Sequence, residues 1–173
     1  MSGPALRSAL VITASDGVAA GVREDGSGAR LEERLTALGF KVERLVVSDE
    51  QWAIEAALVE GTAGHALVIT TGGTGLTPRD VTPQATQAVI DYEVPGLAEA
   101  MRAAGRASTP LADLSRGIVG VRGGSLVINV PGSPKGAIES FVAIAGVLDH
   151  ALETLAGPYD HAITPGGEQG QGG

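Results

Sequence analysis

Short apolar runs alternate with helical patterns along most of this chain, and that alternation limits the folds open to it. "SALVITAS" (residues 8–15), "FKVERLVV" (40–47) and "HALVITT" (65–71) are strand-length and rich in branched aliphatic residues. Runs of this kind read as strands of a parallel sheet buried on both faces. Between the first two, Leu31, Leu35 and Leu38 fall on one helical face, and Gly39 supplies a stop. "EQWAIEAALVE" (50–60) reads as a helix with Ser48 or Asp49 as its cap and Gly61 as its end. Thr82 followed by Pro83 is a start signal, a capping hydroxyl with proline at the first helical position, for a helix expected to reach about Glu93. A further helix starts after Pro95. Residues 117–130 read as two short strands turning at Gly123 and Gly124. In the last helix Ile138, Phe141, Ala145, Leu148, Leu152 and Leu155 form one long apolar face. Strands alternating with helices predict an α/β fold: a three-layer αβα, Rossmann-like single domain with a mostly parallel sheet, over residues 1–156. The Gly-, Gln- and Pro-rich residues 157–173 are expected to be a disordered tail.

Composition narrows the function. The 173 residues carry a formal net charge of -8, which argues against nucleic acid as a partner. Ten arginines but only two lysines, Lys41 and Lys135, supply the positive charge besides three histidines. A phosphate-bearing ligand therefore needs local positive potential from helix N-termini, a few arginines or a metal ion. With no cysteine there is no disulfide framework and no Cys-ligated metal. No apolar run approaches the length of a membrane helix, and the expected compartment is the cytoplasm.

The stretch "TTGGTGLTPRDVTPQAT" (70–86) leaves the third strand and enters a helix, the position at which α/β sheets bind anionic ligands. It is neither a Walker A loop nor a dinucleotide fingerprint, because no Gly-Lys-Ser/Thr triplet occurs and Pro78 stands where a third glycine would be needed. His65, His150 and His161 show no metal-ligand spacing. Gly72, Gly73 and Gly75 let the backbone approach a ligand closely, successive N–H groups in such a loop form an anion-binding concavity, and Thr71 and Thr74 add hydroxyl donors. Asp80 puts a carboxylate beside that concavity, as a helix-entry charge or, across a bridging cation, as a metal ligand. Asp49 follows the second strand as Asp80 follows the third, so both belong to one edge of the sheet, where two carboxylates can share a metal ion. Asp49 also reads as a helix cap. A second loop, "PGSPKG" (131–136), leaves another strand at the same edge.

The glycine-threonine stretch, "SD" at Ser15 and Asp16, "EDGSG" at 24–28, "VVSDEQ" at 46–51 and "PLADLSRGIVGVRGGSLVINVPGSPKG" at 110–136 together resemble the molybdopterin adenylyltransferases, the MogA/MoaB-type proteins and the gephyrin G domain. The "TPRDVTP" continuation favours this branch over CinA-type relatives. The resemblance spans roughly residues 9–155. It implies Mg²⁺-assisted transfer of AMP from ATP to the terminal phosphate of molybdopterin, release of pyrophosphate, and passage of the product to a molybdate-insertion (MoeA-type) protein. It implies that Asp49 and Asp80 are the catalytic and metal-binding carboxylates. Gly72, Gly73, Thr74, Gly75, Ser115, Pro131, Gly132 and Ser133 would line the pterin site, with Ser15, Asp16 and the 25–28 loop at the same pocket. A homotrimer is also implied. Arg79 either offsets phosphate charge or is merely exposed beside the loop, and Lys135 can reach a phosphate from a helix N-terminus. The competing reading is a non-catalytic MoaB-like pterin-binding or scaffold protein.

Overall fold

The computed structural model describes residues 7–158; the segment 1–6 and the tail beyond 158, with His161, lie outside the described residues. Six strands form one mixed sheet in the order β2-β1-β3-β6-β5-β4. They are β1 (Ser8–Ala14), β2 (Lys41–Val47), β3 (Leu67–Thr71), β4 (Tyr92–Glu93), β5 (Val119–Arg122) and β6 (Ser125–Val130). β2, β1, β3 and β6 run parallel, while the β5–β6 hairpin and β4 add an antiparallel end. Six α-helices accompany them: α1 (Asp16–Ala19), α2 (Gly26–Ala37), α3 (Gln51–Gly64), α4 (Thr82–Val89), α5 (Pro95–Arg106) and α6 (Pro134–Ala156).

The pleat sorts the apolar residues into two cores. Ala9 and Val11, Leu67 and Ile69, and Leu126 and Ile128 face α2, α5 and α6, where Leu31, Leu35, Met101, Phe141, Ile144 and Leu148 complete the packing. Leu10 and Ile12, Val68 and Val127 face the other way, onto Ile54, Ala57 and Leu58 of α3 and Ala85 of α4. Continuous apolar runs are what a sheet covered on both sides requires. β2 differs: it is the edge strand, and most of it is exposed.

Several local expectations change. α4 ends at Val89, and Tyr92 and Glu93 pair with β5 instead of extending the helix. The Asp91 amide donates to the Val121 carbonyl (2.7 Å) and its carboxylate accepts the Gly123 amide (2.7 Å), so the tight β5–β6 turn draws this segment into the sheet. Thr82 is the first residue of α4 rather than its cap; Val81 precedes the helix, and the buried Thr82 hydroxyl has no hydrogen-bond partner. α3 continues past Gly61 to Gly64, and Glu50, not Ser48 or Asp49, stands at its cap position without a side-chain bond.

Candidate active site

The chain leaves β1 to form β2 on one side, then returns across β1 to form β3 on the other. The strand order thus reverses about β1, and the crevice beyond the carboxyl ends of β1 and β3 is where an open α/β sheet binds ligands. A cavity of about 830 Å³ occupies it. Ala14 lines it from the end of β1 and Ser15 from the cap of α1, Asp49 from the turn after β2, Gly72, Gly73 and Asp80 from the loop after β3, and Gly132 and Ser133 from the turn after β6.

Two helices begin at this cavity. Asp25 caps α2, accepting the Gly28 amide (3.0 Å), and is held by the Thr13 hydroxyl (2.9 Å) and by Arg44 (2.6 Å). The Asp25 carboxylate in turn raises the pKa of Arg44. Ser133 caps α6 through the Gly136 amide (3.1 Å). Gly26 and Ser27 at the start of α2 and Ser133 and Pro134 at the start of α6 all border the cavity, so it receives the positive ends of two helix dipoles. The Thr71 hydroxyl joins these elements, donating to the Pro131 carbonyl (2.8 Å) and lying 3.0 Å from the Ser27 hydroxyl.

The glycine loop has its shape for internal reasons. Gly72 (φ 99°) and Gly73 (φ 67°) both lie in the left-handed region. A Cβ on Gly72 would stand 2.4 Å from the Ala14 carbonyl oxygen, and one on Gly73 would stand 2.3 Å from the Thr82 hydroxyl. Gly73 therefore has a steric reason within the chain for lacking a side chain, beside the ligand approach expected from sequence. Farther along, Asp80 Oδ2 accepts both the amide (2.9 Å) and the hydroxyl (2.8 Å) of Thr77, closing a turn and leaving Oδ1 without a partner.

A charged cluster joins the three loops. The Asp16 amide donates to Asp49 Oδ2 (2.9 Å), and the Asp49 amide donates back to Asp16 Oδ1 (3.0 Å). Arg79 bridges Asp16 and Glu50, so it is exposed yet paired. The Asp49 amide and then the Arg79 guanidinium hold the Asp16 carboxyl below its ordinary pKa, and Asp16 and Glu50 raise that of Arg79. Asp49 Oδ1 carries no hydrogen bond, and this carboxylate serves the loop junction rather than a helix cap.

A second cavity, of about 280 Å³, lies across the glycine loop. Thr74 and Gly75 line it from the loop, with Ser115, Asn129 and Pro131, and with Ala98, Met101 and Arg102 from α5. Arg102 donates to the Gly117 carbonyl (3.0 Å) and more weakly to that of Ser115 (3.4 Å). Asn129, buried under this cavity, donates to the hydroxyls of Thr70 and Thr86 (both 2.9 Å) and accepts the Ile118 amide (3.2 Å). Such a satisfied buried network fixes side chains in one arrangement.

The residues expected to share one pocket thus divide between two. Ser15, Asp49, Gly72, Gly73, Asp80 and Gly132 border the larger cavity, Thr74, Gly75, Ser115 and Pro131 border the smaller, and Ser133 borders both. Asp16 lines neither but is bonded to Asp49. Lys135 pairs with Glu139 (3.6 Å). Arg23, which sequence reasoning passed over, is the one basic residue among the described residues that line the larger cavity. Arg116 was also missed, though it directly follows Ser115 in the "LSR" segment, and that adjacency was the available signal.

Residues 10–150 match the family described as "probable molybdopterin binding domain". The chain belongs to that family. It is 38% identical over 156 residues to a molybdopterin adenylyltransferase of Helicobacter pylori, covering 86% of this chain and 88% of that one. Among solved structures, one described as the anomalous substructure of MogA is 44% identical with a TM-score of 0.83, covering 86% of this chain and 99% of that one. The MoaB enzyme of molybdopterin biosynthesis from Thermus thermophilus is 45% identical with a TM-score of 0.79, covering 86% and 96%. The family match takes in both cavities and every expected site residue. Among the described residues no helix is long and apolar enough to cross a membrane.

Proposed function

We propose that this protein is a molybdopterin adenylyltransferase of molybdenum cofactor biosynthesis. In this reading a terminal phosphate oxygen of molybdopterin attacks the α-phosphorus of ATP. A new P–O bond forms, the bond between the α-phosphorus and its bridging oxygen breaks, and pyrophosphate leaves. The observation that carries the reading is the pair of cavities bordered by successive residues of one glycine loop, with Ser133 common to both. Two substrates that must meet at a phosphate need such an arrangement.

The smaller cavity, with its apolar wall of Ala98 and Met101 and its polar rim of Thr74, Ser115 and Arg102, suits a bicyclic pterin. The larger suits a nucleotide triphosphate. The α2 and α6 N-termini and Arg23 face it, and the carboxylates of Glu24, Asp25, Asp49 and Asp80 in the same lining call for a cation to accompany the phosphates.

Mg²⁺ fits the residues present. Asp49 and Asp80 border one cavity, and among the described residues each keeps one carboxylate oxygen without a hydrogen bond. No group of three or more metal-binding side chains occurs among the described residues, and a magnesium ion held by one or two carboxylates completes its shell with phosphate oxygens and water. When bound, the ion would offset charge developing on the phosphates. The protein's own contribution is positioning: the Thr77–Asp80 turn aims one carboxylate and the Asp16–Asp49 exchange aims the other.

The product would pass to a molybdate-insertion protein in the cytoplasm. A homotrimer would bury the exposed Leu45 and Val46 of edge strand β2, and a monomer by light scattering at micromolar concentration would contradict it. Incubation with ATP, Mg²⁺ and molybdopterin should yield adenylyl-molybdopterin and pyrophosphate in equal amounts. Pterin binding without pyrophosphate would favour the scaffold reading instead.

A further inference from the structure

Arg116 grips the loop between β3 and α4 at several points. Its amide donates to the Thr74 carbonyl (2.9 Å), its Nε to the Gly75 carbonyl (2.8 Å) and its Nη2 to the Asp80 carbonyl (2.5 Å). Nη1 reaches Gln84 on α4 (3.2 Å). The guanidinium is half-buried and pairs with no carboxylate among the described residues; its donors go to two backbone carbonyls and to the Gln84 side chain. Elsewhere the loop is held by the Thr77–Asp80 turn, by Arg79 on Asp16 and Glu50, and by the Thr82 amide on the Gly73 carbonyl (3.1 Å), while Arg116 ties its Thr74–Gly75 limb to the Asp80 backbone. Two consecutive glycines have positive φ, and Leu76 at its tip is exposed. A planar fork of five donors can pin two carbonyls five residues apart; an ammonium, a compact point charge, cannot span them in the same way.

We propose that Arg116 is a positioning residue that sets the Asp80 carboxylate in the larger cavity and couples it to the smaller one. Gly75, one clamped residue, faces the smaller cavity, while Asp80, the other, faces the larger. Ser115, the neighbour of Arg116, also lines the smaller cavity, and Arg102 holds the carbonyls of Ser115 and Gly117 from α5. A shift at Ser115 is thereby transmitted through Arg116 to the backbone that carries Asp80. Displacement by about an ångström at a reacting centre costs up to roughly a hundredfold in rate.

The kinetic part of this inference rests on the proposed transfer reaction; the loop-fixing part does not. Two readouts therefore test it on Arg116→Ala and Arg116→Lys. The first is amide hydrogen exchange of the free protein. In Arg116→Ala, exchange across residues 72–84 should accelerate about tenfold or more, while the amides of β1, β3 and β6 keep the parent rate. The second is turnover with ATP, Mg²⁺ and molybdopterin. The kcat should fall by tenfold to a hundredfold with each KM changed less than about threefold. Added ethylguanidinium should restore part of the lost kcat in Arg116→Ala, and Arg116→Lys should stand between the two. Unchanged exchange in residues 72–84 overturns the clamp, as does uniform acceleration through the sheet in both variants, which marks a global stability role. Selective loop exchange with parent kcat overturns the coupling alone. A parent without pyrophosphate release sinks the transfer reaction, while the exchange result still decides whether Arg116 fixes the loop.

Discussion

Asp16 and Asp49 exchange hydrogen bonds, each amide donating to the other's carboxylate at 2.9 and 3.0 Å. This reciprocal pair ties the end of β1 to the end of β2, and Arg79 adds the loop after β3 by bridging Asp16 to Glu50. The carboxyl ends of three parallel strands are thus joined by side chains at the mouth of the larger cavity. The Asp16 carboxyl has its pKa lowered, first by the Asp49 amide and then by Arg79. A group with a depressed folded pKa contributes stability above its unfolded value and loses that contribution as pH falls through the folded one. The link should therefore be intact at neutral pH and dissolve only below the ordinary aspartate value of 3.8. Carboxyl-carbon NMR titration should place the Asp16 midpoint below 3.8 and move it upward in Arg79→Ala. An unshifted midpoint in the parent contradicts the account.

Gly73 and Thr82 make a steric pair. In Gly73→Ala the new Cβ would meet the Thr82 hydroxyl at 2.3 Å with φ at 67°. The expected loss is about 1–3 kcal/mol in urea unfolding. Thr82→Ala alone removes a buried hydroxyl with no partner among the described residues together with a buried methyl, opposing effects expected to leave it within about 1 kcal/mol of the parent. The double variant should recover part of the loss, since the two residues are in contact. Strict additivity would mean that the backbone conformation, and not the contact, sets the cost.

All strands but β4, both apolar faces and the sheet edge that carries the larger cavity were legible in the sequence because buried parallel strands are continuous apolar runs and glycine loops interrupt them. Asp49 was placed at the correct edge, but its helix-capping role was not realised: the carboxylate turns back to the Asp16 amide, a partner 33 residues away that no local pattern reveals. The short β4 was hidden for a similar reason. Tyr92 and Glu93 continue a helix-compatible segment, and only pairing with β5 makes them a strand. The division of the site into two cavities depends on which way each loop residue faces, so Gly73 and Thr74, adjacent in sequence, border different spaces. Arg116 acts through carbonyl oxygens, which every residue carries and no motif marks.

Arg23 lines the nucleotide-sized cavity and is exposed, with no ion pair among the described residues. In the proposed reading it meets phosphates of the nucleotide, so it should contribute mainly to binding. Arg23→Ala is expected to raise the KM for ATP by about three- to tenfold with kcat nearly constant, roughly 0.7–1.4 kcal/mol of uniform binding. Magnesium-ATP titration calorimetry gives an independent check. An unchanged affinity would remove Arg23 from the phosphate site.

Asp80→Asn keeps an oxygen able to accept from the Thr77 amide and hydroxyl, so the turn should persist. It removes the charge that a magnesium ion requires. Melting temperature and pterin binding should stay near the parent values, while AMP transfer falls about a hundredfold or more, roughly 2.7 kcal/mol of transition-state stabilisation. Asp49→Asn should behave alike and should not weaken α3, because no side chain caps that helix. Parent-like turnover by both variants would refute the carboxylate mechanism.

The central claim is that the two cavities hold two substrates that react across the glycine loop. ATP labelled at the α-phosphate, mixed with Mg²⁺, molybdopterin and excess protein, reports on it in a single turnover. The account predicts that label moves onto the pterin with one pyrophosphate released per pterin modified. Label that stays on ATP while pterin is demonstrably bound would contradict it.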